Sequence, residues 1–160
     1  MATASHNLSS YDKERVPNAA GLKFGIVVSE WNSKITDGLF EGAHQALIDC
    51  GAKPDNIIRW DVPGSYELTF GSKKMIASEA PDAVIAIGSV IKGETKHFDF
   101  VCSATAQGIK DLNVLGEVPV IFCVLTDNTI QQAIDRSGGK HGNKGTEAAI
   151  AAIKMAVLGK

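Results

Sequence analysis

Residues that could do chemistry cluster in residues 88–97, which read Gly-Ser-Val-Ile-Lys-Gly-Glu-Thr-Lys-His. Here an apolar run gives way to a helical pattern, and the free N–H groups and dipole of a helix N-terminus favour negative charge. Lys92 and Thr95 add a positive charge and a hydroxyl, so the segment predicts a phosphate site. His97, in the first helical turn, is either a solvated helix residue or a group that transfers protons.

Two earlier turns carry aromatic and polar side chains. Trp31 either fills the core or offers a flat surface on which a heteroaromatic ring can stack. In residues 63–67, Pro-Gly-Ser-Tyr-Glu, Ser65 either caps the following helix or joins Glu67 in accepting hydrogen bonds from a polyol or an amide. These turns are candidates for binding the organic part of a ligand.

Phe122 and Arg136 can each be explained without a functional role. Phe122 can pack in the core, and Arg136 can lie on the solvated surface of a helix. The predicted helix that contains Arg136 starts at the end of the fold where the other candidate residues lie. It then runs away from that end at about 1.5 Å per residue. Arg136 is therefore expected more than ~10 Å from the site of its own subunit. If Arg136 binds a phosphate, that phosphate belongs to a neighbouring subunit.

Four apolar and largely β-branched runs predict strands that are buried on both faces. These runs are residues 22–28, 57–62, 83–90 and 118–125. Apolar residues at helical spacing predict five helices. The helices are residues 35–50, 66–79, 98–115, 128–137 and 143–158. Asn32 or Ser33 would cap the first. Asp127 or Asn128 would cap the fourth, which Gly138 and Gly139 would end.

This alternation of strands and helices predicts an α/β fold, a flavodoxin-like three-layer sandwich with a four-stranded parallel sheet and helices on both faces. Ligands of such sheets bind beyond the carboxyl ends of the strands, where the turns described above would meet. Residues 1–15 are rich in Ser, Ala, Asn and charge, so we expect a flexible segment there and a single domain over residues 16–160.

The composition excludes several classes of partner. The chain has 160 residues and a net charge of −2, so it lacks the basic field that would bind nucleic acid or an anionic membrane. It contains no apolar run long enough to span a membrane, and residues 1–21 lack the apolar centre of a secretion signal. Cys50, Cys102 and Cys123 lie in apolar patterns that predict buried, reduced thiols in a cytoplasmic protein. The four histidines are scattered, so no metal site is expected.

Three functions that are common among chains with a similar pattern are excluded, because residues that each function needs are missing. Residues 138–146 resemble a P-loop but lack its Gly-Lys-Ser/Thr ending and join two helices. A phospho-receiver domain needs an aspartate at the end of the third strand, where Gly88-Ser89-Val90 stands. A flavodoxin-like electron carrier needs a hydroxyl-rich phosphate loop after the first strand, and residues 29–33 do not supply one.

Taken together, residues 30–32, 63–67, 88–99, 142–145 and Arg136 resemble the 6,7-dimethyl-8-ribityllumazine synthase family. The resemblance runs from about Leu22 to Gly159, and the segment 92–97 is its most specific part. It implies condensation of 5-amino-6-(D-ribitylamino)uracil with 3,4-dihydroxy-2-butanone 4-phosphate, the penultimate step of riboflavin synthesis. Phosphate and water are released, and no cofactor is needed.

The resemblance also implies a role for each matching position. Trp31 stands where the family has an aromatic residue that stacks on the pyrimidine, more often phenylalanine. His97 is implied as the catalytic proton-transfer residue. The residues implied to bind the ribityl and pyrimidine groups are Ser65, Tyr66, Glu67, Ser89, Val90, Ile91 and Phe122. Those implied to bind the phosphate are Glu94, Thr95 and Arg136, with Lys92 and Lys144 in support.

The family forms homo-pentamers with active sites between subunits, and Phe122 and Arg136 match residues that reach the ligands from an adjacent subunit. Twelve pentamers sometimes close into a 60-subunit icosahedral shell, and the short link Gly-Lys-His-Gly-Asn at residues 139–143 is the form that accompanies shells. We expect residues 16–20 to dock on a neighbour's sheet edge. Two alternatives remain, an archaeal-type riboflavin synthase and a non-catalytic lumazine- or flavin-binding protein.

Overall fold

A computed structural model describes residues 7–159 of the chain. The elements in chain order are β1 (Phe24–Ser29), α1 (Ser33–Asp49), β2 (Ile57–Val62), α2 (Leu68–Glu79), β3 (Ala83–Ile91), α3 (His97–Leu115), β4 (Val120–Asp127), α4 (Ile130–Arg136), β5 (Ser137–Gly139), β6 (Gly142–Asn143) and α5 (Lys144–Ala156). The four long strands and the five helices were all predicted, and each observed end lies within two residues of its predicted position.

The four long strands form one parallel sheet in the order β2-β1-β3-β4. On one face, Ile26 and Ile85 pack with Leu39 of α1 and Ile153 of α5. On the other face, Val27 and Val84 pack with residues of α2 and α3, including Met75 and Ile109. The predicted three-layer sandwich with a parallel sheet is therefore confirmed.

Strand β2 differs from the prediction that all four strands are buried on both faces. It pairs with β1 and lies at the end of the sheet, and its residues are half-buried or exposed. Arg59 of β2 stacks on the Phe40 ring, with the guanidinium carbon 4.5 Å from the ring centroid. The same guanidinium donates hydrogen bonds to Asp37 and Asp61. An edge strand accepts such polar residues because solvent reaches one of its sides.

Three helix starts differ from their predicted caps. Asn32 precedes α1 but has a left-handed backbone with φ of 63°, and its side chain makes no capping bond. Thr129, not Asp127 or Asn128, caps α4, and its hydroxyl accepts a hydrogen bond from the Gln132 N–H. Ser65 does not cap α2, because residues Ser65–Glu67 form a separate 3-10 turn before the α-helix begins.

The link between α4 and α5 is a small antiparallel hairpin of β5 and β6. The sequence predicts only that Gly138 and Gly139 end the preceding helix, and it does not predict this hairpin. Residues before the first strand pack on this hairpin, since the Leu8 N–H donates to the His141 carbonyl at 2.8 Å. The Asn143 N–H donates to Ser9 Oγ at 2.9 Å. The flexibility expected for residues 1–15 stays a prediction, and residues 1–6 of that segment lie outside the described residues.

Ala19, within the segment expected to dock on a neighbour, packs in the core of its own chain. Its N–H donates to the Cys50 carbonyl at 2.9 Å. Docking of the remainder of residues 16–20 on another subunit stays a prediction.

The three cysteines are free thiols. Cys50 and Cys123 are buried, and burial raises the pKa of Cys123 to about 12. Cys102 is only half-buried, so its predicted burial is wrong.

Among residues 7–159, no helix has the length and apolar character that a membrane crossing needs. The same residues contain no group of three His, Cys, Asp or Glu side chains that could hold a metal ion.

Candidate active site

A cavity of about 700 Å³ lies at the carboxyl ends of β1, β2 and β3. Its walls are the turn after β1, the turn after β2, the end of β3 and the first residues of α3. The predicted site residues that line it are Trp31, Ser65, Tyr66, Glu67, Ser89, Val90, Ile91, Thr95 and His97. The parallel sheet thus brings together turns that lie more than sixty residues apart in the chain.

The turn after β1 places an aromatic ring at the cavity. The indole of Trp31 is 72% exposed, so it does not fill the core. The Trp31 N–H donates to the Pro63 carbonyl at 3.2 Å, and the Glu30 N–H donates to the Val62 carbonyl at 2.8 Å. These bonds fix the turn to the end of β2, so a flat hydrophobic surface stands at the rim, where an aromatic ligand can stack.

The turn after β2 is held close to β3. Ser65 is buried, and the Glu67 N–H donates to the Gly64 carbonyl at 3.2 Å. Gly88 in β3 permits this approach, because a Cβ atom there would lie 2.6 Å from Ser65 Oγ. The side chains of Tyr66 and Glu67 then stand along one wall of the cavity.

Ser89 supplies a polar group without a partner. The residue is 2% exposed and lines the cavity, and its hydroxyl makes no hydrogen bond within the described chain. The Ser89 carbonyl is occupied, since it accepts a hydrogen bond from the Asn32 side-chain amide at 2.9 Å. Buried hydroxyls normally have a partner, so the Ser89 hydroxyl is a candidate group for binding a ligand.

The predicted phosphate segment forms an exposed turn between β3 and α3. The Lys92 N–H donates to the Asp127 carbonyl at 2.9 Å, which joins the turn to the end of β4. Thr95 Oγ1 accepts a hydrogen bond from the His97 N–H at 3.4 Å. His97 is the first residue of α3, so its imidazole and the free N–H groups of the helix lie at the same end of the cavity.

Five of the predicted residues do not line this cavity. Lys92 and Glu94 are exposed on the turn beside it. Lys144 begins α5 and pairs with Glu147. Phe122 is 38% exposed on β4, which excludes its full burial in the core of a single chain.

Arg136 lies at the last residue of α4, outside the cavity, but its side chain turns back toward the carboxyl end of β4. Its Nη1 donates to the Gln132 carbonyl at 2.9 Å and lies 3.9 Å from Asp127 Oδ1. Helical side chains lean toward the N-terminus of their helix, which accounts for this direction. Burial raises the pKa of Asp127, and the positive charge of Arg136 acts in the opposite direction.

Comparison with known proteins decides the family. The family model for 6,7-dimethyl-8-ribityllumazine synthase matches residues 21–160. The chain belongs to the 6,7-dimethyl-8-ribityllumazine synthase family. A protein of that name from Flavobacterium psychrophilum is 68% identical over 158 residues, which cover 99% of this chain and 84% of the relative. Proteins of the same name from Flavobacterium johnsoniae and Christiangramia forsetii are 67% and 66% identical, over 99% and 100% of this chain and 83% and 96% of the relatives.

In this member of the lumazine synthase family, several cavity residues were not among the predicted site residues. They are Asn32, Pro63, Gly64, Gly93, Phe98 and Val101. One signal could have identified Val101, which follows His97 by four residues and so shares its helix face.

Proposed function

We propose that this chain condenses 5-amino-6-(D-ribitylamino)uracil with 3,4-dihydroxy-2-butanone 4-phosphate to give 6,7-dimethyl-8-ribityllumazine. One observation carries the proposal. A single cavity combines an exposed indole, a buried hydroxyl without a partner in the described chain, and a helix N-terminus that begins with histidine. These groups suit a flat heterocycle, its polar substituents and an anionic leaving group, respectively.

In this proposal the pyrimidine stacks on Trp31 and lies along Val90 and Ile91, with a polar atom of the ring bonded to the Ser89 hydroxyl. The ribityl chain lies against the turn formed by Ser65, Tyr66 and Glu67. Support comes from the exposure of Trp31 and from the position of that turn on the same cavity. A polyol needs several hydrogen-bonding groups, and this wall offers a phenol, a carboxylate and backbone groups.

The phosphate lies at the turn before α3, where Thr95 and the backbone N–H of Glu94 receive it. Lys92 lies on this turn, and its charge attracts the phosphate. Arg136, which does not line the cavity of its own chain, acts at the phosphate of an adjacent subunit, and Lys144, also outside the cavity, supports phosphate binding. Phe122 reaches the pyrimidine of that subunit in the same way. These assignments follow the family resemblance, and the placement of all three residues outside the cavity is consistent with them.

The chemistry needs no cofactor, because amine attack on a ketone is feasible once two reactants are aligned. The amine of the pyrimidine adds to the ketone carbonyl and water leaves to give an imine. Elimination of phosphate and ring closure, with loss of a second water, then complete the product. His97 transfers protons during these steps, and cations and helix N–H groups stabilise the departing phosphate.

We propose further that the protein is a cytoplasmic homo-pentamer and that twelve pentamers form an icosahedral shell. Two large aromatic residues on the α2 and α3 side, Phe70 and Phe100, are mostly exposed in the single chain, and a subunit contact would bury them. Sedimentation and electron microscopy measure the assembly. A hollow 60-subunit particle agrees with the whole proposal. A free pentamer agrees with the pentamer and contradicts the shell, and a monomer contradicts both.

Incubation with defined substrates separates the alternatives. The proposed synthase forms lumazine and phosphate in equal amounts when both substrates are present, and it forms nothing from lumazine alone. An archaeal-type riboflavin synthase would convert lumazine alone to riboflavin. A non-catalytic binding protein would bind lumazine and release no phosphate from the butanone phosphate.

A further inference from the structure

Thr105 makes a buried contact between two walls of the cavity. It lies on α3, two helical turns after His97, and is 1% exposed. Its Oγ1 donates a hydrogen bond to the Ser65 carbonyl at 3.1 Å. Ser65 begins the 3-10 turn that carries Tyr66 and Glu67 along the cavity.

The surroundings of this bond leave little freedom for the turn. The Ser65 carbonyl also accepts the Leu68 N–H, so the bond from Thr105 adds to the closing bond of the 3-10 turn. One helical turn further along α3, a Cβ atom on Gly108 would lie 2.3 Å from Thr69 Oγ1, so the helix and the start of α2 are in close contact. Thr105 itself does not line the cavity.

From these contacts we infer that Thr105 is a positioning residue that sets the distance between the turn Ser65–Glu67 and helix α3. The bond therefore holds the polyol-binding wall in place beside α3. The inference rests on the proposed function, because it assigns this turn to the ribitylaminouracil. Loss of the bond lets the turn move away from α3, whereas the phosphate turn at Thr95 does not depend on the bond.

The decisive variant is Thr105→Val, which keeps the shape of the side chain and removes the donor. We expect the KM for ribitylaminouracil to rise about 3- to 10-fold, the factor that one neutral hydrogen bond supplies. The KM for the butanone phosphate and the kcat stay within about twofold. Thr105→Ser keeps the hydroxyl and restores the KM, and Thr105→Ala repeats the test if the valine variant does not fold.

Thr146→Val is the matched control. Thr146 Oγ1 donates to the Gly42 carbonyl at 3.2 Å, which joins α5 to α1 on the opposite face of the sheet. This variant loses the same kind of bond and leaves both KM values unchanged. The inference is overturned if Thr105→Val leaves the KM for ribitylaminouracil unchanged, if it raises both KM values equally, or if Thr146→Val has the same effect.

Calorimetric binding of ribitylaminouracil alone distinguishes the two levels of the argument. If the unaltered protein neither binds this compound nor forms lumazine, the proposed function fails. If it does both, and Thr105→Val binds the compound as tightly as the unaltered protein, only the role of Thr105 fails.

Discussion

Ser89 and Ser72 form a matched pair for testing how the cavity binds its ligand. Both residues are buried, and neither hydroxyl has a hydrogen-bond partner in the described chain. Ser89 lines the cavity, whereas Ser72 lies within α2 away from it. Replacing either one with alanine removes a buried polar atom, but only Ser89→Ala removes one from a residue that lines the cavity.

The magnitudes follow from this difference. A buried hydroxyl without a partner costs free energy in the unliganded protein, so each alanine variant gains about 1 kcal/mol of stability. For 160 residues this gain raises the Tm by roughly 2 to 4 °C. With ligand bound, Ser89→Ala leaves one polar ligand atom unpaired at a cost of about 1 to 2 kcal/mol, or a Kd about 5- to 30-fold higher.

The assay combines thermal unfolding without ligand and calorimetric titration with ribitylaminouracil. We expect both variants to melt roughly 2 to 4 °C above the unaltered protein, and only Ser89→Ala to bind the compound more weakly. Unchanged binding by Ser89→Ala would refute the assignment of its hydroxyl to the ligand. Equal weakening by Ser72→Ala would show that the effect comes from altered packing and not from a lost contact.

Three further results are expected. His97→Ala lowers kcat on the order of 100-fold while both KM values change little, as steady-state kinetics can measure. A mixture of His97→Ala and Arg136→Ala subunits, reassembled together, regains activity up to about one quarter of normal if Arg136 acts on a neighbour's site. If both residues act within one chain, no activity returns. The folded protein keeps the proton of Asp127 to higher pH than the unfolded chain does, because burial raises its pKa, so the contribution of Asp127 to stability falls as pH rises above its ordinary pKa of 3.8. Asp127→Asn removes this loss, and its Tm advantage over the unaltered protein is therefore larger at pH 7 than at pH 4; an equal advantage at both pH values would contradict this.

The fold was predictable because its signals are local and repeated. Alternating apolar runs and helical patterns identify the strands and helices, and the preference for right-handed crossovers then leads to a parallel sheet. The exposure of β2 was signalled only weakly. Ile57, Ile58 and Val62 suit a central strand, whereas Arg59 and Asp61 in the same run are the two exposed residues and point to an edge, where the strand order places β2.

The lining of the cavity was predictable where its residues lie in turns after strands, as for Trp31, Ser65 and His97. Details that depend on contacts between distant segments were not predictable. The sequence predicts Asn32 as a helix cap, yet its side-chain amide donates to the carbonyl of Ser89, which lies 57 residues away. The Thr105 contact with Ser65 is similar, because nothing in the helical pattern of α3 identifies a bond to a turn 40 residues earlier.

The most direct measurement of the central claim is lumazine formation followed by absorbance, with each substrate alone and with both together. The account predicts product only with both substrates, release of one phosphate per lumazine, and a marked loss of rate in His97→Ala. Binding of ribitylaminouracil without product from the unaltered protein, under conditions in which both substrates are present, would contradict it.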